Sequence, residues 1–539
     1  MILFENFEIN NYLLLLCSTT LTIFIAQYYY KYFTRDNPLP GPLPFPFVGN
    51  LLQLYWWFEG NKPFSEYNHK KYGDIYEIYL NRRIIILCRT EYIEKLLTPT
   101  TKNSHGIKLP DCEGFDELGI GGKGLVLNNN FVSWKFNRQF FTQAILLPKF
   151  TNEAIDWTNK LFDELESYWN KLYLKEEIGK DRLDMLDFAI WFRHFTNDMI
   201  IKLLTGERSY SMAAYFNTLG DEKAEYPTAI IDDSVKLVKA FHKQLLGFLF
   251  FLFVPSFLRH YVPFFKDKAN DLIQNTKFIN QRMDEIIERR RQEIENTSLD
   301  KPLPNDMLTS VITANTPRSV NFTKTFEETM RPMTNTEIRS IMLDGFIGGT
   351  DTTANTLSFI IYHLAHNPDV KKKMLEEIDR IFRGDKTRPI TEDDFHNLKY
   401  CEAIVKEVSR VCPAVNSFSR CIDKPEEIAG YQWPAGTMFR IDIEAITNNK
   451  DYWEDPDKFN PDRWLVEGFE PKKYSFIIFG GGVRICPGRK LAMIELVCLI
   501  ALLFRKYEID LIDMKAPLKT ESAATTACTE LLVKIKLRN

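Results

Sequence analysis

From Tyr12 to Tyr30 the chain carries no charged residue, and Leu13–Leu16 and Leu21–Ala26 are its apolar blocks. About 20 apolar residues cross a bilayer, so this stretch predicts a membrane helix. Ser18, Thr19, Thr20, Thr22 and Gln27 dilute it, and a buried core helix is the other reading. Glu5 and Glu8 precede it; Lys31 and Arg35 follow it. By the positive-inside rule the rest of the chain then faces the cytosol. No basic leader precedes the stretch and no small-residue cleavage site follows, so a cleaved signal peptide is not expected. Prolines at 38, 40, 42, 44 and 46 come next and favour a stiff extended segment.

Ile75 to Leu87 alternates, is rich in Ile and Tyr and breaks at Asn81-Arg82-Arg83, which predicts a β-hairpin. Residues 151–295 read as several helices. Within them Leu245–Val254 is too short to span a membrane and reads as core or as a segment dipping into a lipid surface. Arg289-Arg290-Arg291 among glutamates reads as a solvated helix face. Residues 296–333, rich in Ser, Thr, Asn and Pro, read largely as loop. Asn296-Thr-Ser and Asn321-Phe-Thr have the form of glycosylation sites, which a cytosolic location leaves unused. Thr334-Asn-Thr-Glu337 is a capping box, and apolar spacing runs on from it to about His366. Thr391-Glu-Asp-Asp predicts a helix leading to Tyr400–Arg410. Gly430–Thr437 punctuates a hairpin, Met438–Ile446 reads as strand, and Arg489–Phe504 as an amphipathic helix.

Composition narrows the classes. Lys+Arg 68 against Asp+Glu 72 gives a formal charge of −4, which argues against a nucleic-acid partner. Forty-one Phe among 14% aromatics suit a large apolar cavity or membrane contact, and cores use Phe as well. Nine scattered cysteines with no Cys-x-x-Cys pair make neither a disulfide framework nor a zinc cage and fit a reducing compartment.

The chemistry concentrates in Phe479-Gly-Gly-Gly-Val-Arg-Ile-Cys-Pro-Gly488. Its glycines let the backbone fold tightly and approach a flat ligand. Cys486 lies between Gly482 and Gly488, Phe479 can pack under the sulfur, and Arg484 can reach an anionic group beside the same ligand. Gly345, Gly348 and Gly349 inside the expected long helix each cost about 1 kcal/mol against alanine, and close approach of a flat ligand is one reason to keep them. Trp134 and Arg138 share a helix face, as do Glu407 and Arg410. Gly119-Ile-Gly-Gly-Lys-Gly124 matches Gly-x-Gly-x-x-Gly but lacks a preceding buried strand and a following helix, so it reads as a loop. His363 and His366 lack a third ligand on their face and read as ordinary helix-end histidines.

The spacing Phe-x-x-Gly-x-Arg-x-Cys-x-Gly resembles the haem-binding loop of the cytochrome P450 family, in which a cysteine thiolate is the proximal ligand of haem iron. Gly348-Gly-Thr-Asp-Thr-Thr353 is similar to that family's oxygen-activation motif, and the Glu407/Arg410 pair followed by Arg463 to its buried ion-pair triad. Asp462 and Trp464 stand where Glu and Phe are commoner, and Thr447-Asn448 where a His-Arg pair is frequent. The resemblance runs from Pro38 onward. It implies a mainly α fold with a small β region behind one N-terminal transmembrane helix: anchor 1–35, proline-rich hinge 36–50, catalytic domain 51–539.

The resemblance also assigns expected roles. Cys486 ligates the iron of haem b. Trp134, Arg138 and Arg420 hold its propionates, with Phe479, Gly482, Arg484 and Gly488 completing the cradle. Asp351 and Thr352 feed protons to dioxygen. Pro413–Phe418 and the loop at 119–124 line the substrate pocket. Arg489 and Lys490 face an acidic redox partner or are simply solvated. The implied activity is mono-oxygenation of a lipophilic substrate, fatty acid or sterol-like, with O2 at the endoplasmic reticulum membrane. The chain ends about fifty residues past Cys486, which leaves no room for a fused flavin domain of usual size. A separate NADPH-dependent flavoprotein reductase is therefore implied, with a b-type cytochrome as a second donor. The rival readings are a haem-thiolate isomerase or dehydratase and a non-catalytic haem binder; retention of Asp351 and Thr352 favours the monooxygenase.

Overall fold

The computed structural model describes residues 2–58, 64–98, 109, 112–146, 148–173, 182–227, 229–230, 233–318, 331–522 and 525–538. Its body is helical, with a small β region. At its centre runs the long helix Asn335–His366, capped as its sequence predicts. Thr334 Oγ1 accepts from the Glu337 amide while Glu337 accepts from the Thr334 amide. Arg331 pairs with Glu337 at 2.7 Å. That hydrogen bond, acting against partial burial, holds the Glu337 carboxyl down at about 2.

The glycines of this central helix divide by function. It packs along the helix Phe188–Thr205. A Cβ at Gly349 would meet Ile200 Cγ1 at 2.7 Å, and one at Gly345 would meet Leu204 and Phe141. These two glycines serve helix–helix approach, not a flat ligand. At Gly348 a Cβ would meet nothing within 4 Å, so only this one opens onto space.

Four strands form the main sheet, in the spatial order Ile75–Tyr79, Arg83–Leu87, Met438–Asp442, Ser417–Cys421. The expected hairpin pairs Ile75 with Leu87 and Tyr79 with Arg83. Arg83–Leu87 then runs parallel to Met438–Asp442, which pairs antiparallel with Ser417–Cys421. Since side chains alternate along a strand, the sheet has two distinct faces. Ile85, Leu87, Phe439, Ile441 and Phe418 look toward Leu96 and Leu97. Tyr76, Ile84, Ile86 and Met438 look toward Phe115, Leu252 and Phe253.

Several expectations shift. The strand at Met438 stops at Asp442, because the Asp442 carboxylate accepts from the Ala445 amide at 3.0 Å and caps the short helix Ile443–Thr447. Leu245–Val254 closes the helix Ser234–Phe253, and Phe251–Val254 are buried: this end of the segment is core. Arg290 is not on a solvated face. It is buried, with Glu207 at 2.6 Å and Asp306 as ion-pair partners. Residues 296–333 hold a short helix, Met307–Thr313, capped by Asp306; the Asn321 motif lies outside the described residues. The helix Arg489–Lys506 is buried almost all round, from Ile494 to Arg505, and so is not amphipathic.

At the N-terminus the helix Ile2–Phe33 stacks Phe24 on Phe47 with ring centroids 4.4 Å apart. Phe47 in turn meets Phe257 edge-on at 6.3 Å. No helix among the described residues is long and apolar enough to cross a membrane. The proline-rich segment is extended and lies against the sheet. The Glu77 amide donates to the Pro40 carbonyl at 2.9 Å, and a Cβ at Gly41 would collide with the Glu77 carbonyl.

Candidate active site

The cysteine loop is folded on itself and pressed against a helix. The Cys486 amide donates to the Phe479 carbonyl at 2.9 Å, which closes the loop across the glycines. Gly482 has φ +69°, and a Cβ there would press on the Leu97 carbonyl, so a side chain is excluded twice over. Phe479 and Cys486 are both partly exposed. A Cβ at Gly488 would lie 3.9 Å from the Cys486 sulfur.

Three of the expected arginines converge on this loop. Arg138 donates to the Ile485 carbonyl at 2.5 Å and Arg420 to the Gly481 carbonyl at 3.0 Å. Arg484 turns away from solvent, donating to the Leu125 and Asn128 carbonyls at 3.0 and 2.6 Å, with its guanidinium 4.0 Å from the ring centre of buried Trp134. Trp134 therefore stacks chiefly with Arg484; its distance to Arg138 is 5.7 Å. Burial lowers all three guanidinium groups. Arg420 falls to about 10, and Arg484, further repelled by Arg420 and Arg138, to about 9. Arg138 is lowered too, against the pull of Cys486.

Among the described residues the hydrogen bonds of the three go to backbone carbonyls and no ion pair joins them to a carboxylate, and the Nε of Arg484 is buried without a hydrogen-bond partner. Buried charges are ordinarily paired. A cluster neutralised only by carbonyl dipoles fits a ligand that brings its own anionic groups, as the two carboxylates of haem b would, and the adjacent thiol is the donor that iron takes.

The oxygen-side motif occupies the middle of the central helix. Thr352 is partly exposed and donates to the Gly348 carbonyl at 2.7 Å, on the side where Gly348 opens. Asp351 points elsewhere. It is 1% exposed, with His242 at 3.2 Å and Arg193 at 3.5 Å. Neither partner stands out in the sequence, because both come from separate helices far upstream. Asp344, another residue the pattern hid, accepts from the Leu125 and Val126 amides at 2.5 and 2.9 Å and ties the central helix to the loop that meets Arg484.

The ion-pair motif is fully internal. Glu407 and Arg410 are 0% exposed and Arg463 is 9% exposed. Glu407 accepts from Arg410 Nη2 at 2.8 Å, Arg463 Nε at 3.1 Å and the Asn460 amide at 3.0 Å. Trp464, where Phe is commoner, adds its indole N–H at 2.8 Å. Arg410 reaches the Thr447 carbonyl at 3.0 Å and Asn448 Oδ1 at 3.3 Å, so the pair standing in for His-Arg belongs to this network.

Comparison with known proteins agrees with this geometry. The family model described as Cytochrome P450 matches residues 39–537. Cytochrome P450 4d2 of Drosophila melanogaster is 25% identical over 87% of this chain and 88% of its own. Cytochrome P450 3A25 of Mus musculus is 25% identical over 92% and 90%. The mouse protein named 1,25-dihydroxyvitamin D(3) 24-hydroxylase, mitochondrial, is 24% identical over 88% and 84%. A loop holding a cysteine amid three unpaired arginines, with a family match across nearly the whole length, makes this chain a member of the cytochrome P450 family, the haem b monooxygenases.

Proposed function

We propose that this chain hydroxylates a lipophilic substrate, fatty acid or sterol-like, at the endoplasmic reticulum membrane, with electrons from a separate NADPH-dependent flavoprotein reductase. Bound haem supplies the iron at which dioxygen is activated. Cys486 would hold that iron through its sulfur, and Arg138, Arg420 and Arg484, gathered at the same loop, would take the haem carboxylates. Thr352 holds a proton at its hydroxyl; its oxygen stays free to accept from water because the hydroxyl hydrogen goes to Gly348. Asp351, kept in place by Arg193 and His242, is the proton source behind it. The buried Glu407–Arg410–Arg463 cluster braces the segment leading to the cysteine loop. Arg489 is exposed beside that loop and offers a reductase a cationic contact.

The observation that carries the reading is the trio of arginines around Cys486, Arg420 and Arg484 buried and Arg138 partly so, with no carboxylate paired to them among the described residues. Support for the membrane comes from one apolar surface. Leu14, Leu15, Leu16 and Leu21 of the terminal helix, Leu43, Phe45 and Phe47 of the proline-rich segment, and Phe257, Tyr261 and Phe264 are all exposed, and the Phe24–Phe47–Phe257 stack joins the three segments. The terminal segment 1–35 is read as the anchor, 36–50 as the strap binding it to the catalytic domain 51–539.

The test is reconstitution in vesicles with reductase, NADPH, labelled dioxygen and a panel of fatty acids and sterols. One labelled oxygen atom in the product, strictly dependent on NADPH, is expected. Turnover of a hydroperoxide without NADPH would overturn the monooxygenase assignment to this substrate class. Loss of the long-wavelength ferrous carbon-monoxide band in Cys486→Ser is expected alongside, and its retention would overturn the thiolate assignment.

A further inference from the structure

A carboxyl that gives up its proton must regain it before the next turnover. Asp351 is 1% exposed, so bulk water does not refill it directly. Two side chains touch it. His242 Nδ1 lies 3.2 Å from Asp351 Oδ2, and Arg193 Nε lies 3.5 Å from Oδ1. The two contacts differ in kind. Asp351 Oδ1 and Arg193 Nε are both buried without a hydrogen-bond partner, so on this side a charge is held at a distance and not bonded. Arg193 is fastened from behind, since its Nη2 donates to the Cys528 carbonyl. Three residues on, Thr196 donates to the Thr350 carbonyl at 2.7 Å and fixes the register of the two helices beside Asp351. Arginine does not release its protons in proteins. Arg193 can therefore hold the carboxylate but cannot feed it.

His242 is placed to do both. Its helix, Ser234–Phe253, turns Lys239 to solvent and buries Phe241 and Gln244 in the body. His242 sits on the rim between them, one helical turn from Lys239, with 24% of its side chain exposed. Its Nδ1 is at the carboxylate. Its Nε2 has no protein partner among the described residues and is not sealed from water. The charged groups on the same rim are Lys239 and Lys243, and Lys243 is taken up by Asp271 at 2.6 Å. Among the described residues Asp351 is thus the one carboxylate paired with the ring. Imidazole takes up and releases protons near neutral pH, and in its charged form both nitrogens carry one.

We propose that His242 is the entry point of the proton path: it takes a proton from water and passes it to Asp351, while Arg193 keeps the carboxylate in waiting. The inference rests on the reading of Asp351 as proton source and says where its proton comes from. In the step the Nδ1–H bond of the imidazolium breaks and an O–H bond forms at Oδ2. A cation and an anion become a neutral ring and a neutral carboxyl, and the ring recovers its proton from water. Neutral Asp351 no longer draws on Arg193, and with Oδ1 unbonded its carboxyl is free to turn toward Thr352, the next residue. His242 acts only through Asp351 and is in that sense a positioning residue.

The test compares His242→Asn with His242→Ala in the reconstituted holoprotein, with reductase, NADPH and the panel of fatty acids and sterols. Asn keeps a donor near the place of Nδ1 but carries no proton onward. His242→Asn is expected to melt with the natural protein and His242→Ala below it, both keeping the ferrous carbon-monoxide band; if the Ala protein loses that band, the Asn variant decides. Product formed per NADPH is expected to fall by about tenfold or more in both, with hydrogen peroxide released instead and a larger isotope effect in deuterated water. The loss is expected to shrink as pH falls, because free protons then substitute for the relay. If His242→Asn couples like the natural protein, the ring only holds Asp351 and the inference is overturned. If Asp351→Asn is impaired while neither His242 variant is, the proton enters elsewhere: the inference is overturned and the proton-source reading stands. If Asp351→Asn also couples normally, or no panel member is oxidised by the natural protein, the underlying reading falls and takes the inference with it.

Discussion

Glu407→Ala is the sharpest probe of what holds the haem domain together. The carboxylate accepts five hydrogen bonds, two from Arg410 and one each from Arg463, Trp464 and the Asn460 amide. Truncation leaves two guanidinium groups buried beside a void. Breaking a buried ion pair by removing one partner costs about 3–5 kcal/mol. Both arginines keep carbonyl acceptors, at Thr447, Pro456 and Glu454, so one such penalty is assigned and not two. A loss of that size moves the folding equilibrium by roughly two to three and a half powers of ten, against a total stability of about 5–15 kcal/mol. At the lower end of that range most of the stability is removed, so soluble protein with bound haem should fall measurably. The assay is the ferrous carbon-monoxide absorbance per amount of soluble chain. Glu407→Gln, which keeps one acceptor oxygen, should retain more. Glu407→Leu combined with Arg410→Met removes charge from both sides and should recover part of the loss, because apolar replacement of a whole pair is often neutral. Wild-type haem content in Glu407→Ala would refute the reasoning.

Three further outcomes are expected. Gly349→Ala should lower thermal stability by about 1–3 kcal/mol through overpacking against Ile200, whereas Gly348→Ala should gain about 0.5–1 kcal/mol in helix propensity and weaken substrate binding; paired melting curves and spectral titrations separate them. Thr352→Ala should leave ferric substrate binding intact but cut product formed per NADPH by about 10²-fold, measured as coupling efficiency. Glu337 has a folded-state value depressed to about 2 from 4.5, so its stabilisation is complete above pH 4.5 and is lost as pH falls toward 2; the melting-point gap between the natural protein and Glu337→Gln should narrow over that window.

Much of the site was legible because its parts are close in sequence. The cysteine loop, the Glu407/Arg410 pair and the capping box each fit within ten residues, so spacing alone locates them. Arg193 and His242 were invisible: each is one ordinary polar residue in a helix, and only the packing of three helices brings them to Asp351. The glycines misled for a related reason. One-dimensional pattern shows that Gly345 and Gly349 are unusual, but not that a neighbouring helix supplies the cause. The strand at Met438 was overextended because Ile443 and Ile446 have strand composition, while the cap at Asp442 decides otherwise. Arg290 was misplaced because two of its three counter-ions, Glu207 and Asp306, lie outside its own helix.

The two glycines that press the central helix onto its neighbour have a wider consequence. A backbone clamped along one flank cannot drift when the opposite flank is altered. Residue changes around Gly348 can thus reshape the space it opens onto while Asp351, on the same helix, keeps its position beside Arg193 and His242. The seam works as a fixed bearing, so new selectivity can be acquired there without dismantling turnover.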